Sequence, residues 1–344
     1  MTSADRYRAV GVDLSVAERA KARLGELVGG TRTGGSRGAI GGFGGMVRVP
    51  PDVPDPVLVA STDSVGTKVL VAIAAGRHDT VGECLVNHCV NDILVHGAKP
   101  LGFLDYFATG KLDPDVLADV VSGVAGGCRA HAMPLLGGET AQMPDLYRAG
   151  EYDLAGTIVG VVSEAEALHG DRVRAGDVLI GYAASGFHTN GYSLVRRVLF
   201  DEMGLGVDDR FPETTRSVAD VLLEVHRSYF AAIWPVRSRV HALAHITGGG
   251  IPGNLNRVLP QDVDATVIAG RWPVPVWCDV VQRGGRVSDE EMRHVFNLGV
   301  GMIGACAAAD VDAVRRAAAA AGVETWDIGV TVTGSGAVRW EDAR

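Results

Sequence analysis

Short apolar runs alternate with segments of helical period along the whole chain, and that alternation restricts the fold more than any other feature. In the first half, strands are predicted at Val57–Ala60, Leu101–Phe107, Met133–Leu136 and about Asp153–Val162. Between them the spacing predicts a helix over Gly82–His96, with Val86, Val90, Ile93 and Leu94 on one face. A second helix follows Asp113-Pro114, where Asp supplies an N-cap and Pro the first helical position; it carries Val116, Leu117, Val120, Val121 and Val124. A further helical pattern opens the chain, Tyr7 to Leu27, and stops at Gly29-Gly30. The polar stretch Ser163–Ala175 interrupts the alternation. It then resumes with a strand at Asp177–Tyr182, a loop at Ser185–Gly191, helices, and a turn at Thr247-Gly248-Gly249-Gly250. Ser288 and Glu291 read as a capping box, Val300–Ala305 as a strand, and Gly322 as the C-cap of a helix ending at Ala321. Trp326–Val332 and Ala337–Trp340 read as a terminal hairpin. The expectation is an α+β or α/β chain of two lobes, residues 1–170 and 171–344, which its length accommodates.

Composition excludes several function classes. The net charge is −9 with no long basic run, which argues against a nucleic-acid partner. No apolar run approaches the ~18 residues that a membrane span needs, and Met1–Val10 has no apolar signal core, so a cytoplasmic location is expected. The five cysteines include no C-x-x-C pair and read as reduced, mostly buried thiols. Glycine is abundant, at 46 residues, and gathers in short loops, where backbone can approach a ligand. An acidic protein that binds a polyanion needs local compensation from a divalent ion, Lys or Arg, and backbone N–H groups.

The run Ser61-Thr62-Asp63-Ser64-Val65-Gly66-Thr67-Lys68 places a carboxylate, a glycine and a lysine at the end of a strand. It is not a phosphate loop of the G-x-x-x-x-G-K-[ST] kind. Carboxylates recur at element ends: Asp63, Asp92 beside Asn91, Asp105 and Glu139. Asp63, Asp92 and Glu139 form a sensible Mg²⁺ set if the fold converges them, since Mg²⁺ is held by one or two carboxylates and substrate phosphates. Taken alone, Asp92 reads equally as a solvated helix residue. Lys68 and Lys111 are candidates to neutralise phosphate oxygens, against the ordinary solvated reading. The Gly-rich stretch through Gly42-Phe43-Gly44 is either a linker or a nucleotide-covering flap. His188 lies in a Gly-flanked loop before a helix, as a candidate acid–base group or as a structural histidine. Thr247–Gly250 is an anion cradle or a tight turn, and His241 and His245 beside it read as core or helix-surface residues.

Taken in order, these segments resemble the phosphoribosylformylglycinamidine cyclo-ligases, or aminoimidazole ribonucleotide synthetases. The likeness runs through Gly11-Val12-Asp13, Gly41–Gly44, Thr62–Lys68, Val90-Asn91-Asp92, Phe103–Tyr106, Ala108–Lys111 and Gly137–Pro144. It continues through the His188 loop, Ser193–Arg196, His245–Gly250 and Phe296–Met302. The resemblance implies a homodimer whose N-terminal mixed sheets pair into a shared barrel, each with an α/β layer domain beside it. It implies ATP and Mg²⁺ as cofactors and a small nucleotide as substrate. Gly42, Phe43, Gly44, Asp63, Lys68, Asn91, Asp92, Asp105 and Glu139 would serve the nucleotide side, with Asp63, Asp92 and Glu139 on the metal. His188, Asn190, Thr247, Gly248, Gly249 and Gly250 would face the substrate, and His188, Lys68 and Asp63 would carry the chemistry. The implied reaction is ATP-dependent closure of formylglycinamidine ribonucleotide to aminoimidazole ribonucleotide.

One position departs from the pattern. An acidic residue is expected directly before Asn254, where this chain has Gly253. Related ATP-dependent families fit less well. A selenophosphate synthetase would want a cysteine near the Gly-rich loop, but the first here is Cys84. A hydrogenase-maturation dehydratase would end in cysteine, and this chain ends in Arg344. The Glu139–Pro144 and Phe296-Asn297 segments speak against a thiamine phosphate kinase. A non-catalytic nucleotide-binding subunit of the same fold is the rival from another class.

Overall fold

A four-stranded sheet and a six-stranded sheet organise the chain, in a computed structural model that describes residues 23–39 and 41–342. The Gly11-Val12-Asp13 segment and most of the opening helical pattern lie outside the described residues; residues 23–29 are helical. Strands β1 (Ser36–Arg37) and β2 (Met46–Val47) pair antiparallel, so the Gly-rich stretch is the tip of a small hairpin.

The first sheet contains β3 (Pro56–Ser64), β4 (Lys99–Thr109), β5 (Leu135–Gln142) and β6 (Tyr152–Ser163), in the order β3-β6-β4-β5. All four are longer than their apolar runs; backbone pairing carries β3 through Ser61–Ser64 and β5 through Gly137–Gln142 at their C-terminal ends. Along β3, Val57, Val59, Ser61 and Asp63 turn towards the Asp79–Leu94 helix, while Leu58, Ala60 and Thr62 are exposed. Asp113 caps the Pro114–Ala130 helix by accepting from the N–H groups of Asp115 and Val116, as expected.

The second sheet contains β7 (Val178–Ala183), β8 (Val240–His245), β9 (Val263–Ala269), β10 (Val300–Cys306), β11 (Thr325–Thr333) and β12 (Val338–Asp342). Its order is β12-β9-β11-β7-β10-β8. The expected terminal hairpin is not formed: β9 lies between β11 and β12 and pairs with β11 antiparallel and β12 parallel. Asp264 of β9 holds that arrangement, accepting from the N–H groups of Ser335 and Ala337 and from Arg339. Ser288 supplies half of the expected capping box, accepting from Glu291 N–H.

The lobes share one interior. A continuous apolar cluster runs from Val65, Leu85 and Phe103 to Phe187, Tyr192 and Phe296. All five cysteines are buried free thiols. No helix among the described residues is long and apolar enough to cross a membrane.

Candidate functional site

Two carboxylates and four imidazoles meet where the lobes join. Asp63 lies near the end of β3, and Asp92 in the last turn of the Asp79–Leu94 helix, with His88 one turn before it. The second lobe contributes His245 at the end of β8, His188 from the loop after β7, and His226. His88 Nε2 stands 2.8 Å from Asp63 Oδ2 and 3.7 Å from Asp92 Oδ2. His245 Nδ1 donates to Asp92 Oδ1 at 2.8 Å, and Ser61 donates to Asp92 Oδ2 at 2.9 Å. Behind them, Thr189 Oγ1 reaches His88 Nδ1 at 2.7 Å and His226 Nδ1 at 3.4 Å, and His226 Nε2 faces His245 Nε2 at 3.0 Å.

Asp63, Asp92, His245, Thr247 and Arg257 line an inter-lobe cavity of about 410 Å³ whose other walls include Val59, Leu243 and Val258. Burial raises both carboxyls. It is outweighed by His88 and the Ser64 N–H at Asp63 and by His245 at Asp92, so both stay below the ordinary carboxylate range. Burial lowers His88, but the two carboxylates outweigh it and hold the ring above the ordinary histidine value. Burial dominates at His188 and His226, reinforced by neighbouring imidazoles and Lys68, and depresses both far below that value. A wall with two ionised carboxylates and positioned donors is suited to a cation or to a cation-bound phosphate.

Other sequence-derived candidates are placed differently. Asp63, Gly156, Asp105 and Gly138 sit in register across the sheet, so Glu139 lies three strands from Asp63, roughly 14 Å at ordinary strand spacing. Within one chain Glu139 therefore does not join Asp63 and Asp92, and its side chain is exposed on the other sheet face. Gly137-Gly138-Glu139 is strand rather than loop. A Cβ at Gly138 would come within 2.1 Å of Asp105 Oδ1, which is why glycine is needed there. Asp105 itself turns inward, and burial pushes its carboxyl up to about 6.

Lys68 is fully buried and does not line the cavity. Its ammonium donates to the carbonyls of Glu224 (2.7 Å) and His188 (3.0 Å) and to Cys84 Sγ (3.2 Å). The reading of Lys68 as a phosphate-neutralising group is corrected: its donors are already committed between the lobes. Asn91 is likewise interior, donating to the carbonyl of Arg227 and accepting from the N–H of Tyr229. His188 stacks on His226 at 3.9 Å and does not line the cavity; its φ is +60° and Nδ1 has no partner among the described residues. Asn190 lies beside the Gly248 turn. The Thr247–Gly250 turn is fastened from within, Asn254 Nδ2 donating to the carbonyls of Thr247, Gly248 and Gly250. Gly42–Gly44 are exposed at the hairpin tip, with Phe43 fully in solvent.

His88, His226 and Arg257 were not among the expected site residues. His88 was legible in one respect, since it precedes Asp92 by four residues on one helix and so shares its face. His226 sits in a segment without motif or period, and no local signal marks it.

Comparisons with known proteins cover both lobes. Family profiles described as AIR synthase related protein match residues 44–162 for the N-terminal domain and 174–341 for the C-terminal domain. A phosphoribosylformylglycinamidine cyclo-ligase of Sorangium cellulosum is 47% identical over 331 residues, covering 95% of each chain. One of Trichlorobacter lovleyi is 44% identical, covering 94% of this chain and 93% of its own. Among solved structures, a thiamine-monophosphate kinase from Stenotrophomonas maltophilia superposes with a TM-score of 0.69 at 18% identity, covering 96% of each chain. A hydrogenase maturation protein in complex with ATP gives 0.65 at 19% identity, covering 95% of this chain and 91% of its own. These structural likenesses extend to the fold.

Proposed function

We infer the reaction from the family, for the chain belongs to the phosphoribosylformylglycinamidine cyclo-ligases. It is an ATP-dependent enzyme of purine biosynthesis that closes formylglycinamidine ribonucleotide to aminoimidazole ribonucleotide, releasing ADP and phosphate. The observation that carries this is identity near 47% sustained over 95% of both chains, across both lobes.

The chemistry sets what the site must do. An amide oxygen leaves poorly, so the γ-phosphoryl group is transferred from ATP to the formyl oxygen, giving an iminophosphate. The amidine nitrogen attacks the activated carbon, its proton is lost, and phosphate departs as the five-membered ring closes. Asp63 and Asp92 are our candidates to hold the Mg²⁺ that the family likeness implies, because both carboxylates face one cavity and keep low proton affinity. Such an ion supplies charge neutralisation at the phosphates. His88 and His245 fix the directions of the two carboxylates. The Thr247–Gly250 turn and Asn190 would receive the nucleotide substrate, and His188 would position that loop from behind. Holding nitrogen and carbon in register is worth up to ~7–11 kcal/mol of the barrier.

We further propose a homodimer, with the chain divided near residue 170. Leu58, Ala60 and Thr62 of β3, Thr157 and Val159 of β6, and Leu104 and Tyr106 of β4 share one face of the first sheet, opposite its helices. A second copy covering that face would close the two sheets into the barrel that the family likeness implies. Such pairing offers a route by which Glu139 and the Gly-rich hairpin of one chain serve Asp63 and Asp92 of the other. Catalysis is tested by incubating the protein with ATP, Mg²⁺ and formylglycinamidine ribonucleotide. Ring product and phosphate are expected in equal amounts, and Asp63→Asn should cut turnover at least about 100-fold. ATP binding without ring closure would leave a binding module and refute the assignment.

A further inference from the structure

The inter-lobe cavity is not uniform in charge. Asp63 and Asp92 give one end two ionised carboxylates. From Asp63 to Val59 the β3 wall runs roughly 13 Å at ordinary strand rise, long enough to hold the two ends of an extended nucleotide apart. His96 lies one turn beyond Asp92, just past the end of the Asp79–Leu94 helix, and its carbonyl accepts from Leu168 N–H. Gly170 packs on the carbonyl of Val258. Residues 168–170 therefore tie His96 and the Arg257-Val258 segment to the end away from the carboxylates.

Arg257 brings the one fixed positive charge among the described residues that line this cavity. Its Nε donates to the carbonyl of Gly253 at 3.1 Å, which sets the plane of the guanidinium. Both terminal nitrogens are left without a hydrogen-bond or ion-pair partner among the described residues. Other arginines of this chain are paired with acids, Arg77 with Asp220, Arg239 with Asp310 and Arg339 with Asp264. The position one turn before Arg257, from which an acid would reach it, is Gly253. The departure from the family pattern at residue 253 thus leaves the guanidinium fork open to a ligand.

A ribonucleotide substrate carries a phosphate dianion at one end and its reacting formyl and amidine groups at the other. Set against Asp63 and Asp92, the dianion is repelled, whereas a guanidinium with two free amino groups matches phosphate oxygens in charge and shape. We propose that Arg257 binds the 5′-phosphate of the nucleotide substrate and so turns the formyl end towards Asp63 and Asp92. The proposal deepens the cyclo-ligase reading of this cavity and rests on it.

The test is a cycle between Arg257→Gln and the substrate's own phosphate, run on the full chain with ATP and Mg²⁺ saturating. It compares kcat/KM for formylglycinamidine ribonucleotide with kcat/KM for the riboside that lacks the phosphate. Arg257→Gln is expected to lower the value for the ribonucleotide at least about tenfold. The value for the riboside and the KM for ATP should stay within about twofold, because the group that Arg257 reads is missing from the one and distinct from the other. Arg257→Lys should recover part of the loss, keeping the charge without the fork. Dissociation constants from calorimetry on the same pairs of protein and ligand close the cycle without turnover. Arg257 is exposed, so neither variant disturbs the core. An equal loss with both substrates, or none with either, overturns the role of Arg257, while ring closure by wild type keeps the enzyme assignment. A raised KM for ATP with the ribonucleotide unaffected gives Arg257 to the triphosphate and overturns the proposal as well. A wild type that closes neither ring overturns the enzyme assignment and the proposal with it.

Discussion

A charge buried among carbonyls does different work from one facing a ligand, and Lys68 is the first kind. Its ammonium bridges two backbone carbonyls from the second lobe. Lys68→Met would leave both without a donor, and unsatisfied buried acceptors cost about 1–3 kcal/mol each. Denaturant titration is expected to show a loss of about 2–4 kcal/mol, with ATP affinity little changed in the protein that remains folded. Asp105 offers a pH signature. Its folded value near 6 lies above the ordinary carboxylate value of about 4. Folding therefore favours its protonated form, and the cost appears as pH rises from about 4 to about 6 and stays constant above. Asp105→Asn is expected to raise the melting temperature at pH 7.5 and to leave it unchanged at pH 4. Asp63 and Asp92 were legible because carboxylates at element ends stand out. The role of Lys68 was not, since the same D-x-x-G-x-K run serves a ligand-facing or an inward lysine, and only the packing of residues 188 and 224 decides.

Elements differ in how tightly their neighbours constrain them, and the Thr247–Gly250 turn with its short helix shows both extremes. At Gly250, φ is +60° and a Cβ would lie 1.9 Å from the carbonyl oxygen of Arg293. Gly250→Ala is expected to cost about 2–3 kcal/mol in denaturant titration. At Gly253 a Cβ meets nothing within 4 Å. Gly253→Glu is therefore expected to fold with unchanged or slightly higher stability, helped by helix propensity and by Arg257 four residues on. Comparing turnover in the two proteins isolates what an acidic group there contributes. The same contrast explains what sequence reading missed among the elements. Gly137-Gly138 signals a loop by propensity, but the Asp105 carboxylate across the ladder demands a residue without Cβ in a regular strand. The terminal hairpin failed because hairpins are read from adjacency, whereas Asp264 draws the last segment across β9.

At the scale of the whole molecule, both lobes and their alternation were visible from periodicity, but the cavity was not, because its walls come from strands far apart in sequence. The open face of the first sheet bears on assembly. Leu58 is 58% exposed at its centre, and a charge there would oppose a covering copy. Leu58→Glu is expected to convert a dimer to a monomer in size-exclusion chromatography with light scattering, with turnover falling alongside. A wild-type protein that elutes as a monomer refutes the barrel. The junction between the lobes has a further consequence. Lys68, Asn87, Asn91 and His88 all reach across it, each with at least one hydrogen bond to residues 188–189, 226–227 or Glu224. Prising the halves apart like a jaw would break the bonds of an ammonium and two amides at once, so the two lobes travel as a single block.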